Sequence, residues 1–101
     1  MTIDQLIREH FGTTIDPMDG VPPEHTADAE KTVALWAGLS NRSDLRSLAT
    51  AAKRGAIQSW KANVLARIVA GVVLTSQGRV REAAIAALGA LDPAFDRTAA
   101  V

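Results

Sequence analysis

The chain contains no cysteine and no tyrosine, and only 4% of its 101 residues are aromatic. Without cysteine it can form no disulfide, no thiolate nucleophile and no cysteine-ligated zinc site. A core must therefore come from the 48% of residues that are hydrophobic, chiefly Ala, Val and Leu. Small aliphatic side chains favour closely packed helices, so the composition predicts one all-α domain of ordinary size.

A long apolar run is also missing. The longest nearly apolar stretch, residues 64–74, contains Arg67 and is shorter than the about 20 residues that span a bilayer. Residues 1–12 contain Asp4 and lack the apolar segment of a secretory leader. We therefore expect a cytoplasmic protein that has no membrane partner.

The sequence has few residues that could bind a metal or catalyse a reaction. The two histidines, His10 and His25, have no metal-binding spacing such as His-x3-His, and we expect them in surface or packing roles. The nucleophile, phosphate-binding and dinucleotide-binding motifs are all absent. Asp28 and Glu30 do not share a helical face and fall in a solvated first turn. The sequence thus predicts a protein that is not an enzyme and needs no metal or cofactor.

The net charge of zero conceals a separation of charge along the chain. Residues 1–30 contain seven acids and one base, a net charge of −6, and residues 31–101 contain ten bases and four acids, a net charge of +6. Such asymmetry is typical of a surface for nucleic acid or for an acidic partner. The alternative is that the acidic N-terminal segment lies against the basic body.

Apolar spacing and turn residues predict five helices. Thr2 and Gln5 have the capping-box spacing for a first helix over residues 2–11, and Ser43 is the expected cap of the third helix. The segment between the first two helices contains Asp-Pro, Asp-Gly and Pro-Pro, which are typical of a linker. The other four helices are expected over residues 24–38, 44–54, 57–75 and 79–91.

These helices are expected in one domain over residues 1–101, as a short N-terminal helix followed by two consecutive antiparallel hairpins that stack. In the second half of the helix over residues 57–75, apolar residues occur nearly all round, which predicts a central, buried position. In the same helix Ala66, Ala70 and Gly71 offer small side chains where a neighbour could approach closely. The domain divides into an N-terminal helix to residue 12, a linker over 13–24, a helical body over 25–92 and a tail over 93–101, frayed from residue 96.

Residues 66–93 resemble a tetratricopeptide-type helical hairpin. Gly71 takes the place of a small residue in that motif, Gly78 forms the turn, and Glu82-Ala83 and Asp92-Pro93 resemble its later pairs. Arg67, Leu74 and Ala87 depart from the pattern, and the closing proline comes early. The resemblance covers about a third of the chain and implies a protein-binding scaffold or a small chaperone.

Three features are candidates for partner binding: a basic cluster that overlaps a segment resembling a helix-turn-helix, the two tryptophans, and the N-terminal helix. Arg42, Arg46 and Lys53, with Arg54 beside them, form the best basic cluster, which either contacts phosphates or is an ordinary solvated helix face. Residues 33–48 imperfectly resemble a helix-turn-helix. Trp36 and Trp60 are core residues or interface anchors, and they are expected to pack together.

The N-terminal helix is the third candidate, since it sits on a Pro/Gly linker. With Ile7 and Phe11 on its apolar stripe, it docks on its own body, swaps into a second copy, or fills a groove meant for a client.

The function that follows is a non-catalytic protein–protein interaction module, an adaptor, regulator or small chaperone with a helix-lined groove. The expected binding residues are Ile7, Phe11, Arg42, Arg46, Lys53 and Trp60. One alternative is a small nucleic-acid-binding regulator that uses the basic residues around Arg42–Arg54. Another is a structural helical homodimer.

Overall fold

The computed structural model describes residues 1–95, and the predicted frayed tail over 96–101 lies outside them. The described part is all-α and contains no β-strand, as predicted. A short 3-10 turn, Pro23–His25, leads into the second helix. The five helices are α1 Ile3–Phe11, α2 Thr26–Trp36, α3 Arg42–Lys53, α4 Ser59–Thr75 and α5 Gly78–Leu91.

Helix α4 lies at the centre, in contact with α1, α2 and α5. Helices α4 and α5 form a hairpin across residues 76–77, and the preceding pair stacks on it, α2 against α4 and α3 against α5. The two helices of the first pair thus make their main contacts with the second pair rather than with each other. The predicted stacking of two consecutive helix pairs is confirmed.

The central position of α4 follows from its sequence, which is apolar on nearly every face. Neither α4 nor any other helix within residues 1–95 is long and apolar enough to cross a bilayer. The residues that α4 buries are Val64, Leu65, Ala66, Val69, Ala70, Val72 and Val73.

The ends of α1 form as the sequence predicts. The Thr2 hydroxyl accepts a hydrogen bond from the Gln5 backbone N–H at 3.1 Å, and the Thr2 N–H donates to the Gln5 side chain at 2.8 Å. Gly12 ends the helix with a positive φ of 94°, and its N–H donates to the Arg8 carbonyl at 2.9 Å. These bonds satisfy backbone groups that a short helix otherwise leaves unpaired.

Helix α3 begins two residues earlier than predicted, because Asn41 and not Ser43 is its cap. The Asn41 side-chain oxygen accepts from the N–H groups of Ser43 (2.8 Å) and Asp44 (3.2 Å). Both Asn and Ser are good caps, so composition alone does not choose between them. The extended backbone of Asn41, with φ −112° and ψ 125°, shows where the helix starts.

The prediction of a close helix approach at Gly71 is wrong. A methyl group added at this position would have no neighbour within 4 Å, so nothing in the packing requires glycine there. Ala66 and Ala70, from the same predicted group, are fully buried. The close packing of α4 thus involves the alanines and not the glycine.

The predicted tail over 93–101 begins too early. Phe95 is only 5% exposed and belongs to the core. Two hydrogen bonds hold it after α5: the Phe95 N–H donates to the Asp92 carbonyl at 3.0 Å, and the Ala94 N–H donates to the Asp92 carboxylate at 3.1 Å. Asp92-Pro93 therefore ends the helix without ending the packed structure.

Candidate interaction surfaces

Helix α1 docks on the body of its own chain. Ile7 has no exposed surface and joins the core beside α4. At either end of α1 a polar contact reaches across the fold, from Asp4 to Arg81 and from His10 to Asp92. The Ile7 side chain is thus enclosed in this docked arrangement, and its expected contact with a partner stays a prediction that requires α1 to leave the body.

Phe11, the other expected binding residue of α1, is half-buried in an aromatic cluster. Its ring stacks on Phe95 at 6.3 Å between centroids and meets the edge of His10 at 4.7 Å. The Arg67 guanidinium carbon lies 5.7 Å from the same ring, within cation–π range. Phe11 therefore serves chiefly to hold α1 in place.

Trp60 lies at the surface of the fold beside the linker. Its ring stacks on His25 with centroids 5.0 Å apart, and its indole N–H donates to the Gln58 side chain at 2.7 Å. Trp36, by contrast, packs against the core. The expected Trp36–Trp60 pair does not form: within residues 1–95 the ring contact of Trp60 is with His25.

Trp60 also lines an open groove of about 550 Å³ between the linker and the start of α4. Asn63, another lining residue, accepts a hydrogen bond from Arg67 through its side-chain oxygen at 2.6 Å. Within residues 1–95, neither this groove nor any other place has a group of three or more histidines and carboxylates that could hold a metal ion. In this groove Trp60, Asn63 and Asp92 thus each have a hydrogen-bond partner within the fold.

The expected basic residues lie together on the outer side of α3. All four are exposed, and Arg42 and Arg46 lie between two shallow grooves. The first groove, about 760 Å³, follows the exposed side of α3 to Arg54. The second, about 660 Å³, lies between α3 and α5. Lys53 is exposed but lines neither groove.

The fold adds a residue that the sequence did not point to. Arg79, in the first turn of α5, lines the groove between α3 and α5 opposite Arg42 and Arg46. Only the packing of α3 on α5 brings it there, 33 residues after Arg46. We call the set of Arg42, Arg46, Lys53, Arg54 and Arg79 the basic face.

The acidic N-terminal segment does not neutralise the basic face. Within residues 1–95, no ion pair joins the exposed acids of residues 16–30 to any of its five members. Asp4 does reach the basic half of the chain, but its partner is Arg81 at 2.7 Å. Arg81 also donates to the Val73 carbonyl at 2.8 Å, so it is fixed within the structure. The charge separation of the sequence thus persists on the surface.

A separate apolar surface lies where α2 turns toward α3. Leu35 is 77% exposed and, with Trp36 and Leu39, lines a cleft of about 380 Å³. Gly38 and Asp44 complete the lining. The sequence does not single out Leu35, because one exposed leucine on a helix is common and its neighbours in the cleft become apparent only in the fold. We call these five residues the α2–α3 corner.

No protein-family model, curated protein or solved structure matches the chain.

Proposed function

We propose that this protein is a non-catalytic protein-interaction module of the cytoplasm, an adaptor, regulator or small chaperone, which binds its partner through the α2–α3 corner. The observation that carries the proposal is the 77% exposure of Leu35 beside two further apolar side chains. The resemblance of residues 66–93 to a tetratricopeptide-type hairpin favours the same class of function.

The corner has the composition of an interface anchor. Full burial of a leucine side chain is favourable by about 1.5–3 kcal/mol, and the monomer lacks most of this stabilisation at Leu35 because the side chain is exposed. The half-buried Trp36 and Leu39 form a fixed floor, because both pack against the core. Apolar centres with a polar rim are typical of binding hot spots, and Asp44 supplies one charged rim group.

The size of the cleft limits what enters it. A space of about 380 Å³ lined by five residues accepts one or two apolar side chains and not a whole helix. The partner would therefore present an apolar side chain next to a basic group facing Asp44. A second copy of this chain is the alternative occupant, in a homodimer that would bury the two corners against each other.

The test compares Leu35→Glu with Ala27→Glu. Both substitutions place a carboxylate at an exposed position of α2, and residue 27 is about 12 Å along the helix from residue 35. Tagged chains would capture proteins from nuclease-treated native lysate, followed by mass spectrometry. We expect a protein that the parent chain and Ala27→Glu enrich and that Leu35→Glu does not.

Equal enrichment by both variants would place the binding surface elsewhere. Sedimentation velocity over a range of protein concentrations separates the homodimer alternative. A concentration-dependent dimer that Leu35→Glu abolishes would show that the corner is occupied by a second copy.

A further inference from the structure

We propose that the basic face binds the phosphate backbone of duplex nucleic acid, without reading its base sequence. This goes beyond the protein-binding function of the α2–α3 corner and involves different residues. It is carried by the juxtaposition of α3 and α5, which places arginines from both helices around one groove.

The arginines of the basic face are placed so that several of them can contact one phosphate backbone. Arg42 and Arg46 are one helical turn apart and line both grooves, while Arg79 faces them from α5. Each guanidinium offers a planar fork of donors that matches two phosphate oxygens, which a lysine ammonium does not. A backbone lying along the groove would therefore meet donors from both sides.

The donors of these arginines are unused within the described part of the fold. Within residues 1–95, the side chains of Arg42, Arg46 and Arg79 have no ion-pair or hydrogen-bond partner. Glu82 is the only acid that lines the groove between α3 and α5 in this part of the chain. The groove thus holds three arginines without a partner among the described residues beside one carboxylate, and a polyanion relieves the repulsion among their charges.

The linings of the two grooves favour duplex over single-stranded nucleic acid. Proteins that hold single strands stack the bases on aromatic side chains, and neither groove has an aromatic residue in its described lining. Gly78, Ala83 and Ala86 instead leave room for a backbone to approach.

Two hydroxyl groups beside the basic face, in the lining of the first groove, already donate within α3. The hydroxyls of Ser47 and Thr50 donate to carbonyls of their own helix, at 3.1 and 3.0 Å. The arginines are thus the main donors, and phosphate contacts carry no sequence information by themselves.

The expected strength follows from the number of contacts. Three or so phosphates neutralised by arginine give a slope of about −3 for log K against log salt, and affinities in the non-specific range of about 10⁻⁴–10⁻⁶ M. Binding of this kind is independent of duplex sequence.

The experiment measures fluorescence anisotropy of a labelled DNA duplex of arbitrary sequence, titrated with the full chain over a series of salt concentrations. The test variant is Arg46→Glu/Arg79→Glu, and Lys31→Glu is the control with an exposed charge reversal on α2. We expect the double variant to lose at least about tenfold in affinity and its slope to fall to about −1. Lys31→Glu should stay within about twofold of the parent.

A second double variant, Arg46→Ala/Arg79→Ala, removes the positive charges without adding negative ones and should lose less affinity for the duplex. Thermal melts of every variant check that each one is folded. No binding at low salt would overturn the proposal, as would an equal loss in Lys31→Glu. Competition by polyglutamate as effective as that by duplex of equal charge would also overturn it, in favour of an acidic protein. Leu35→Glu should bind duplex as tightly as the parent chain does. A failure of the protein-binding proposal at the α2–α3 corner can therefore be distinguished from a failure of duplex binding.

Discussion

The imidazole Nε2 of His10 lies 2.8 Å from a carboxylate oxygen of Asp92, although 82 residues separate them in sequence. The His10 ring also meets the edge of Phe95 at 5.7 Å between centroids. This contact joins the C-terminal turn of α1 to the residue that ends α5. Together with the Asp4–Arg81 pair, it holds a helix of nine residues that would be marginal alone in water.

We expect a double-mutant cycle of His10→Ala and Asp92→Ala to give a coupling energy of about 1 kcal/mol, the usual worth of a partly buried hydrogen bond. Chemical denaturation of the four proteins measures it. Glu9→Ala, at the exposed neighbouring position, should change the free energy of unfolding by less than about 0.5 kcal/mol. Additive effects of His10→Ala and Asp92→Ala would mean that the contact contributes nothing to stability.

Asn41→Ala should destabilise the protein by about 1 kcal/mol, because two N–H groups at the start of α3 lose their acceptor. Ser43→Ala is the matched control and should cost far less, since Ser43 lies inside the helix. Thermal unfolding distinguishes the two variants. The reverse order of stabilities would restore Ser43 as the cap.

Gly71→Ala should stabilise the protein by about 0.5–1 kcal/mol, because alanine favours the interior of a helix and the added methyl group meets open space. Gly55→Ala should instead destabilise by about 1 kcal/mol, since the φ of +69° at Gly55 is unfavourable for a residue with a Cβ. Denaturant midpoints of both variants test this. Destabilisation by Gly71→Ala would indicate a neighbour packed closely at that glycine.

Arg81→Ala should cost about 1–2 kcal/mol, because it leaves the Val73 carbonyl and the Asp4 carboxylate without their shared donor. Arg81→Lys should restore only part of the loss, since an ammonium lacks the fork that reaches both acceptors. Asp4→Ala should cost less than about 1 kcal/mol, as Asp4 is 44% exposed. Equal stability of Arg81→Lys and the parent would show that one of the two bonds is dispensable.

Much of the fold follows from local patterns in the sequence. The capping box at Thr2, the glycine after α1 and the apolar surface of α4 each express a local preference that packing does not override. The errors fall where two local choices are nearly equal, as at Asn41 and Ser43, or where only packing decides. Phe95 is such a case, because its place in the core rests on contacts across the fold, among them the ring of Phe11.

The candidate surfaces were less predictable than the helices. The Arg42–Arg54 cluster is local to α3 and visible in the sequence, whereas Arg79 joins it only through the contact of α3 with α5. The cleft at Leu35 likewise combines residues of α2, the following loop and α3, which spacing along α2 alone does not reveal. For Ile7 the sequence allows two outcomes, because an apolar stripe on a helix can face either a partner or the core. The structure places Ile7 in the core.

The dependence of α3 on α5 has a consequence for synthesis of the chain. A ribosome delivers α3 before α5, and α5 is the helix against which α3 chiefly packs. The apolar stripe of Leu45, Leu48 and Ala49 therefore stays uncovered until the chain through Leu91 has left the exit tunnel. During that interval the nascent chain exposes leucines that are hidden in the finished protein, and these are the residues on which a ribosome-associated chaperone would act.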